Sequence, residues 1–234
     1  STIAGGADKD TFVVNSSNLM TSSLIDGGAG NDSVSFGAEL SGSSIFGGAD
    51  NDTLNFSAGV NNNSIVSGDA GSDVLLFSST ITTAAVYGGV GGDSMVFKGA
   101  ISNSTIDFGA DSDTLTLSVA ATSTTILGGA GADTLVFSSG ANLVTSSVSG
   151  GTEGDSLVFS AVVKSATSIA GGGGNDTMVF NSSLGGAFIS LDSGEDSVSF
   201  VTLVSGATMH GGNGIHTVVF SGAADLATFE GMMG

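Results

Sequence analysis

The sequence contains no proline, no cysteine, no tryptophan and no arginine, and its only basic residues are Lys9, Lys98 and Lys164. Without cysteine, no disulfide can stabilise the fold. Against three lysines stand 22 acidic residues, and the resulting net charge of −19 excludes nucleic acid as a partner, because phosphate contacts require clustered lysine and arginine. The same charge disfavours anionic membrane surfaces and leaves cations as the natural partners.

Long hydrophobic runs that could span a bilayer are also missing. Charged residues make up 11% of the chain, whereas an ordinary globular domain has about 25%. However, 40% of the residues are hydrophobic, so the chain is not a disordered acidic segment. The composition therefore indicates a folded protein that is not an ordinary globular domain.

The chain does contain a repeat of 20–22 residues, which is aligned on one aspartate per copy. We call this set the aspartate column, and His216 takes the eleventh position in it. The column consists of Asp10, Asp32, Asp52, Asp73, Asp93, Asp113, Asp133, Asp155, Asp176 and Asp196. Apolar residues stand seven residues before each position and two and four residues after it, as Ile25, Val34 and Phe36 do around Asp32. A looser aliphatic column about eight residues after it begins at Leu19 and is interrupted at Ala121.

The spacing within a copy is typical of strands. Residues two and four after the aspartate point the same way in an extended chain, and no stretch shows a sustained helical stripe. Each copy is predicted to form a short strand, a polar turn, a second short strand and a glycine turn. One copy cannot bury its apolar face alone, whereas stacked copies can. We therefore predict an all-β, right-handed parallel β-solenoid of about eleven coils, as one domain over residues 1–234.

The glycine turn, in its fullest form Gly-Gly-x-Gly-x-Asp, has the chemistry of a calcium site. Glycines let successive carbonyls point inward, the aspartate adds a carboxylate, and Ca²⁺ selects six or more hard oxygen ligands. One turn supplies too few oxygens, but two stacked turns supply enough. Ten stacked carboxylates would also repel one another, and the chain has only three lysines and no arginine to neutralise them. The ten aspartates are thus the candidate metal ligands, although a metal-free solenoid with aspartate as a turn residue stays open.

Acidic residues replace the third glycine of the turn in four copies, as Asp8, Asp50, Asp111 and Glu153. Aspartate tolerates a left-handed backbone better than most residues, so the three aspartates could simply hold the turn. They could equally add a ligand oxygen, and we count Asp8, Asp50 and Asp111 among the candidate metal ligands.

The turns GGAGNDSVS, GGVGGDSMV, GGAGADTLV and GGGGNDTMV resemble the nonapeptide of the RTX, or haemolysin-type calcium-binding, repeat family. The resemblance implies a parallel β-roll, several Ca²⁺ ions at the turns, secretion and folding outside the cell. One departure is that each coil has a single nonapeptide and one polar turn of another kind. We therefore expect one calcium row, on one edge of the solenoid.

The pattern predicts a structural protein, not an enzyme, because it repeats without any convergent acid, base or nucleophile. His210 and His216 both lie in the last copy, where His216 is expected to mark the end of the calcium row. We expect a secreted, calcium-stiffened rod at the cell surface that binds copies of itself head to tail and builds a filament, sheath or surface layer. The alternative is an RTX segment of a larger adhesin, toxin or hydrolase. A third interpretation, ice binding, is disfavoured because the serine, threonine and asparagine residues of stretches such as SSTITTAA keep no fixed column.

Overall fold

In the computed structural model, residues 1–15, 18–164, 166–225 and 228–231 are described. These residues form short parallel strands that stack coil upon coil, one coil for each position of the aspartate column. The predicted parallel β-solenoid of about eleven coils is confirmed. The described part of the chain has no helix of the length and apolar character that crossing a membrane requires.

Strands are numbered in chain order and fall into three ladders. Sheet A contains β1 (Thr2–Gly6), β4 (Leu24–Ala29), β7 (Ser44–Ala49), β10 (Ile65–Ala70), β13 (Ala85–Val90), β16 (Thr105–Ala110), β19 (Thr125–Ala130), β22 (Ser147–Thr152), β24 (Ser168–Gly172), β27 (Phe188–Ser190), β30 (Thr208–His210) and β33 (Thr228–Glu230). Sheet B contains β2 (Thr11–Val14), β5 (Ser33–Phe36), β8 (Thr53–Phe56), β11 (Val74–Phe77), β14 (Ser94–Phe97), β17 (Thr114–Leu117), β20 (Thr134–Phe137), β23 (Ser156–Phe159), β25 (Thr177–Phe180), β28 (Ser197–Phe200) and β31 (Thr217–Phe220).

The third ladder, sheet C, corresponds to the looser aliphatic column of the sequence, which was not predicted to form strands. It contains β3 (Met20–Thr21), β6 (Leu40–Ser41), β9 (Val60–Asn61), β12 (Ile81–Thr82), β15 (Ile101–Ser102), β18 (Ala121–Thr122), β21 (Leu143–Val144), β26 (Leu184–Gly185), β29 (Val204–Ser205) and β32 (Ala224–Asp225). Val163 bridges β21 to β26. Each of these strands has only two residues, too few to show an alternating pattern.

Two assignments in this ladder were wrong. The ladder begins at Met20, which pairs with Leu40, and not at Leu19, whose side chain is 52% exposed. Ala121 does not interrupt the ladder, because it is fully buried and pairs with Ile101 and Leu143.

The core lies between the sheets, where each apolar column becomes a ladder of like residues. The phenylalanines four residues after the aspartates stack with ring centroids 4.7 to 5.2 Å apart. This separation is the strand spacing itself, so the side chains pack at the same interval as the backbone ladders. Proline would remove a ladder hydrogen bond at any inner coil, which agrees with its absence.

In one coil in the middle of the rod, the large core residue lies at a different position from that in the other coils. Phe108 stands where most coils have glycine and is buried, whereas Leu117 replaces the phenylalanine and interrupts the ring stack. Ala121, in the same coil, is smaller than its neighbours in sheet C. The large side chain has therefore moved within the coil, and the ladder hydrogen bonds continue across it.

The outer face of sheet B, which we call the B face, has two regular columns. The first residue after each aspartate position is threonine or serine in ten of eleven coils: Thr11, Ser33, Thr53, Val74, Ser94, Thr114, Thr134, Ser156, Thr177, Ser197 and Thr217. The third residue is mainly valine: Val13, Ser35, Asn55, Leu76, Val96, Thr116, Val136, Val158, Val179, Ser199 and Val219. The expectation that outward hydroxyl residues keep no fixed column was therefore wrong for this face.

Candidate metal site

The glycine turn joins sheet A to sheet B and gives the candidate site its backbone. Gly28 and Gly30 have φ of 106° and 110°, values that side-chain-bearing residues rarely adopt. In most coils the first glycine of the turn leaves space for the carboxylate, since a Cβ on Gly128 would lie 2.6 Å from Oδ2 of Asp133, whereas Phe108 and Leu191 take this position in two coils. The repeated glycines thus let the chain turn sharply and let the aspartate side chain fold inward.

The two carboxylate oxygens of each aspartate have different surroundings. From Asp10 through Asp176, the backbone N–H of each column aspartate donates a hydrogen bond of 2.6 to 2.8 Å to Oδ1 of the aspartate in the next coil. Oδ2 is buried in all ten aspartates and accepts no hydrogen bond in the nine from Asp10 through Asp176, while that of Asp196 lies 2.9 Å from Nδ1 of His216. The predicted site residues are therefore brought together in one row, with ten inward-facing oxygens along it.

Burial changes the proton affinity of this row. Loss of hydration raises the pKa of Asp113 and Asp155 from an ordinary value of 3.8 to about 7. It raises the pKa of five further column members to about 6: Asp52, Asp73, Asp93, Asp133 and Asp176. The N–H bond to Oδ1 opposes this rise, while acidic neighbours add to it. At neutral pH the row therefore carries negative charge that is poorly hydrated.

At the opposite edge of the solenoid, between sheets C and A, neutral hydroxyl groups accept the backbone N–H of the preceding coil. The N–H of Ser43 donates to Oγ of Ser64 at 3.3 Å, and the N–H of Thr124 donates to Oγ of Ser146 at 3.3 Å. These hydroxyls are buried and in turn donate to carbonyl oxygens, as Ser64 Oγ does to Asn61 at 2.6 Å. The sequence interpretation missed this hydroxyl ladder, although serine or threonine recurs nine residues before the aspartate in most copies.

A comparison of the two edges shows what is special about the aspartate column. A hydroxyl oxygen is enough to accept the N–H of the previous coil. The aspartates supply that acceptor and, in addition, a charged oxygen that contacts no donor. A metal-free solenoid in which aspartate serves only as a turn residue would explain the hydrogen bond to Oδ1, but it would not explain why Oδ2 is buried without a donor.

The acidic residues at the third glycine position hold the turn. Asp8, Asp50, Asp111 and Glu153 have φ between 67° and 77° and are exposed. Glu153 also accepts a hydrogen bond from the N–H of Gly131 at 2.9 Å. A ligand role for Asp8, Asp50 and Asp111 stays a prediction.

Two aspartates that the sequence interpretation did not single out have a related role. Asp69 and Asp192 replace the second glycine of the turn, with φ of 74° and 64°. Their Oδ1 atoms accept hydrogen bonds from the hydroxyls of Ser67 and Ser190. The signal that could have revealed them is aspartate at a position that otherwise holds glycine.

His216 occupies the eleventh position of the column, as its spacing predicts. Its Nδ1 lies 2.9 Å from Oδ2 of Asp196 and 3.4 Å from the backbone nitrogen of the same residue. The imidazole thus stands where the next carboxylate would be. His210 is separate from this pair and contacts Glu230 at 3.2 Å.

The residues present fit a calcium ion by the chemistry of their donors. Among the described residues, no three histidine, cysteine or acidic side chains converge on one point. An ion at this edge would therefore be held by Oδ2 of the aspartates together with backbone carbonyl oxygens of the glycine turns, which is the all-oxygen set that Ca²⁺ prefers. Bound there, the ion supplies positive charge to the row.

Comparisons with known proteins agree with this assignment. Residues 23–39, 43–62, 125–144 and 168–182 match the family described as RTX calcium-binding nonapeptide repeat, in four copies. No curated protein sequence matches the chain. A solved structure, a hyperactive, Ca²⁺-dependent, β-helical antifreeze protein from an Antarctic bacterium, shares the fold with a TM-score of 0.69 and 18% identity, covering 97% of this chain and 81% of that one. The chain therefore carries RTX calcium-binding nonapeptide repeats on a parallel β-solenoid, and these repeats imply calcium as its cofactor.

Proposed function

We propose that this chain is a secreted structural protein, a calcium-stiffened rod that assembles end to end into an extracellular filament, sheath or surface layer. One observation carries the proposal. Ten buried carboxylate oxygens form a single row on one edge, and nine of them, from Asp10 through Asp176, have no hydrogen-bond partner. Lys9, Lys98 and Lys164 form no ion pair with this row among the described residues, so its neutralising charge comes from outside the chain.

Calcium suits a structural role because its binding and the folding of the chain are linked. Without the ion, each added coil brings another buried negative charge next to the last one. With the ion, the binding free energy becomes folding free energy. Calcium is plentiful outside cells, so the rod would form after secretion. The proposal includes no catalytic reaction, since His210 and His216 lie in separate pairs with acidic residues.

Assembly of the rod rests on its terminal strands. At one end, β1 and β2 are the edge strands of sheets A and B, Ile3 is 43% exposed, and Phe12 and Val14 are only partly buried against the core. At the other end, β31 is the edge strand of sheet B, and Val218 and Phe220 are partly buried against the core. Edge strands of this kind pair readily with other chains. Head-to-tail contact is heterologous, so it propagates as a filament.

A second candidate function is that of a calcium-triggered folding and secretion module in a larger adhesin, toxin or hydrolase. The match to RTX repeats in four separate segments favours it, because the repeats need no partner copy to bind calcium. In this case the coils would continue into neighbouring sequence of the same chain and not into another molecule.

The experiment has two stages. Circular dichroism in chelator and then in millimolar Ca²⁺ should show a cooperative gain of strand signal, and full strand content in chelator would contradict the calcium-dependent rod. Light scattering and electron microscopy in calcium should then show filaments for the wild type. The double variant Val218→Lys, Phe220→Lys should stop growth, provided its strand signal shows that it still folds. Isolated short rods of the wild type would favour the second candidate.

A further inference from the structure

The B face differs from the rest of the surface in carrying no charge. None of its 22 outward positions in the two columns is acidic or basic, although the chain has a net charge of −19. The outer face of sheet A, in contrast, carries Asp26, Asp107 and Glu230. The B face is therefore a broad surface on which another acidic molecule could lie without opposing carboxylates.

The strands of sheet B also have the composition of a sheet that is covered on both faces. Segments such as TLVF (134–137), SLVF (156–159) and TMVF (177–180) place valine outward beside the buried leucine, methionine and phenylalanine. Parallel sheets are normally buried on both faces and show such continuous apolar runs. Here the outer side faces solvent: the valines of inner coils, such as Val136 and Val158, are half-buried, and Val13 and Val219 on the two edge strands are 57% and 47% exposed.

The residue types of both columns are nearly symmetric about the middle coil. Counting outward from Thr116, the third-residue column has aliphatic residues on both sides at the first and second coils, serine at the fourth and valine at the fifth. Only the third pair, Asn55 and Val179, differs. Counting outward from Thr114, the first-residue column pairs hydroxyl with hydroxyl in four of five coils, and Val74 opposite Ser156 is the exception.

This symmetry suits pairing of the face with a second copy of itself. A two-fold axis along the strand direction, through the coil of Thr114 and Thr116, would lay two rods antiparallel and place each column on its own counterpart. Val96 of one copy would then face Val136 of the other, and Thr116 would face itself. In an isologous contact residue i meets residue j and j meets i, and here the near symmetry of the columns makes most of these pairs aliphatic with aliphatic or hydroxyl with hydroxyl.

We infer that the B face is the interface of an antiparallel dimer, with a second copy of this chain as its occupant. Eleven strands about 4.8 Å apart and about 13 Å long give the face roughly 650 Å². Two such faces bury roughly 1,300 Å² together, at the lower end of the range of about 1,200–2,000 Å² for stable interfaces. The valine columns supply apolar contact, the hydroxyl columns hydrogen-bond across the interface, and the acidic groups remain in water. Unlike head-to-tail contact, this pairing closes at two copies.

A charge placed in this face tests the inference. Val136→Lys should shift the wild-type dimer to monomer in sedimentation velocity with saturating calcium, raising the dissociation constant at least about tenfold, because a lysine would be desolvated against Val96 of the other copy. The matched control is Leu127→Lys, which puts the same charge on a half-buried aliphatic position of sheet A in the same coil and should leave the dimer intact.

A cross-linking test shows which residues of the two copies face each other, and its result does not depend on end-to-end growth. The chain has no cysteine, so single cysteines can be placed at will. With a short bismaleimide, Thr116→Cys should cross-link to itself in calcium, Val13→Cys should not, and a mixture of Val13→Cys with Val219→Cys should. A monomeric wild type, equal loss of dimer in both lysine variants, or self-linking of Val13→Cys without Thr116→Cys would overturn the inference. A monomer whose thermal hysteresis is lost in Val136→Lys would also overturn it and assign the face to ice.

Discussion

The backbone N–H of Asp113 donates a hydrogen bond of 2.8 Å to Oδ1 of Asp133, one coil further along, while Oδ2 of Asp133 is buried without a partner. One side chain therefore has two roles that can be separated by experiment. Oδ1 links consecutive coils through this hydrogen bond. Oδ2 brings a charge that destabilises the metal-free fold and makes the site attractive to a cation.

Asp113→Asn should have opposite effects with and without calcium. The amide keeps an acceptor for the N–H of Asp93 but removes a buried charge, so at pH 8 in chelator the strand signal should be stronger than that of the wild type. In calcium the thermal midpoint should fall by a few degrees, because a ligand oxygen is lost and 1 kcal/mol corresponds to about 2–4 °C in a domain of this size. Circular dichroism in chelator and thermal unfolding in calcium measure the two effects. Asp107→Asn, the same change on sheet A in the same coil, should do neither, and a weaker strand signal of Asp113→Asn in chelator would contradict the assignment.

Acid should replace calcium as the stabilising agent of the fold. The pKa values of seven column aspartates are raised in the folded state, to about 6 for Asp73 and about 7 for Asp155 among them. A raised folded-state pKa means that protonation favours folding, so this stabilisation is complete below about pH 4 and is lost as the pH rises through 6 to 7. Metal-free protein should therefore show more strand signal by circular dichroism at pH 5 than at pH 8. Calcium affinity should change in the other direction and weaken as the pH falls, because protons and calcium compete for the same oxygens.

Gly128→Ala should disturb the candidate metal site by steric overlap, because it changes no charged or hydrogen-bonding group. The added Cβ would lie 2.6 Å from Oδ2 of Asp133 and would collide with the carbonyl oxygen of Gly150. We expect a destabilisation of about 1–3 kcal/mol and a lower calcium affinity, as for an overpacked core position. Gly185→Ala is the control, since a Cβ there meets nothing within 4 Å. Calcium titration of both variants checks the prediction, and equal affinities would contradict it.

Phe108 and Leu117 should be coupled in a double-mutant cycle. Phe108→Gly alone leaves a cavity and should cost about 3–5 kcal/mol, while Leu117→Phe alone adds a ring to a filled coil and should cost about 1–3 kcal/mol. Together they restore the composition of the other coils and the phenylalanine stack, so their combined cost should be well below the sum. Denaturant unfolding in calcium measures the cycle. Additive costs would show that the two positions do not share space.

Much of the fold could be predicted because each coil repeats the same rule. The columns of Ile25, Val34 and Phe36 lie at fixed distances from Asp32, and eleven copies make that regularity visible in one sequence. The start of sheet C was misplaced by one residue, because Leu19 and Met20 are equally apolar and a two-residue strand has no periodicity to choose between them.

The site was predictable in its residues but not in its atoms. Spacing identified the column to which Asp133 belongs, yet only the structure distinguishes an Oδ1 that accepts a hydrogen bond from an Oδ2 that does not. The hydroxyl ladder through Ser64 was missed because serine is also common in exposed turns, and sequence alone does not tell a buried hydroxyl from an exposed one.

The hydrogen bonds between coils bear on the order in which the coils can form. On both edges a backbone N–H of one coil donates to a side-chain oxygen of the coil that follows it. The N–H of Asp32 donates to Oδ1 of Asp52, and the N–H of Ser43 donates to Oγ of Ser64. Each coil is therefore completed by the next one to be made. A chain that emerges amino terminus first, from a ribosome or through a membrane channel, always has its newest turn open, and its ordered part ends one coil behind the point of emergence.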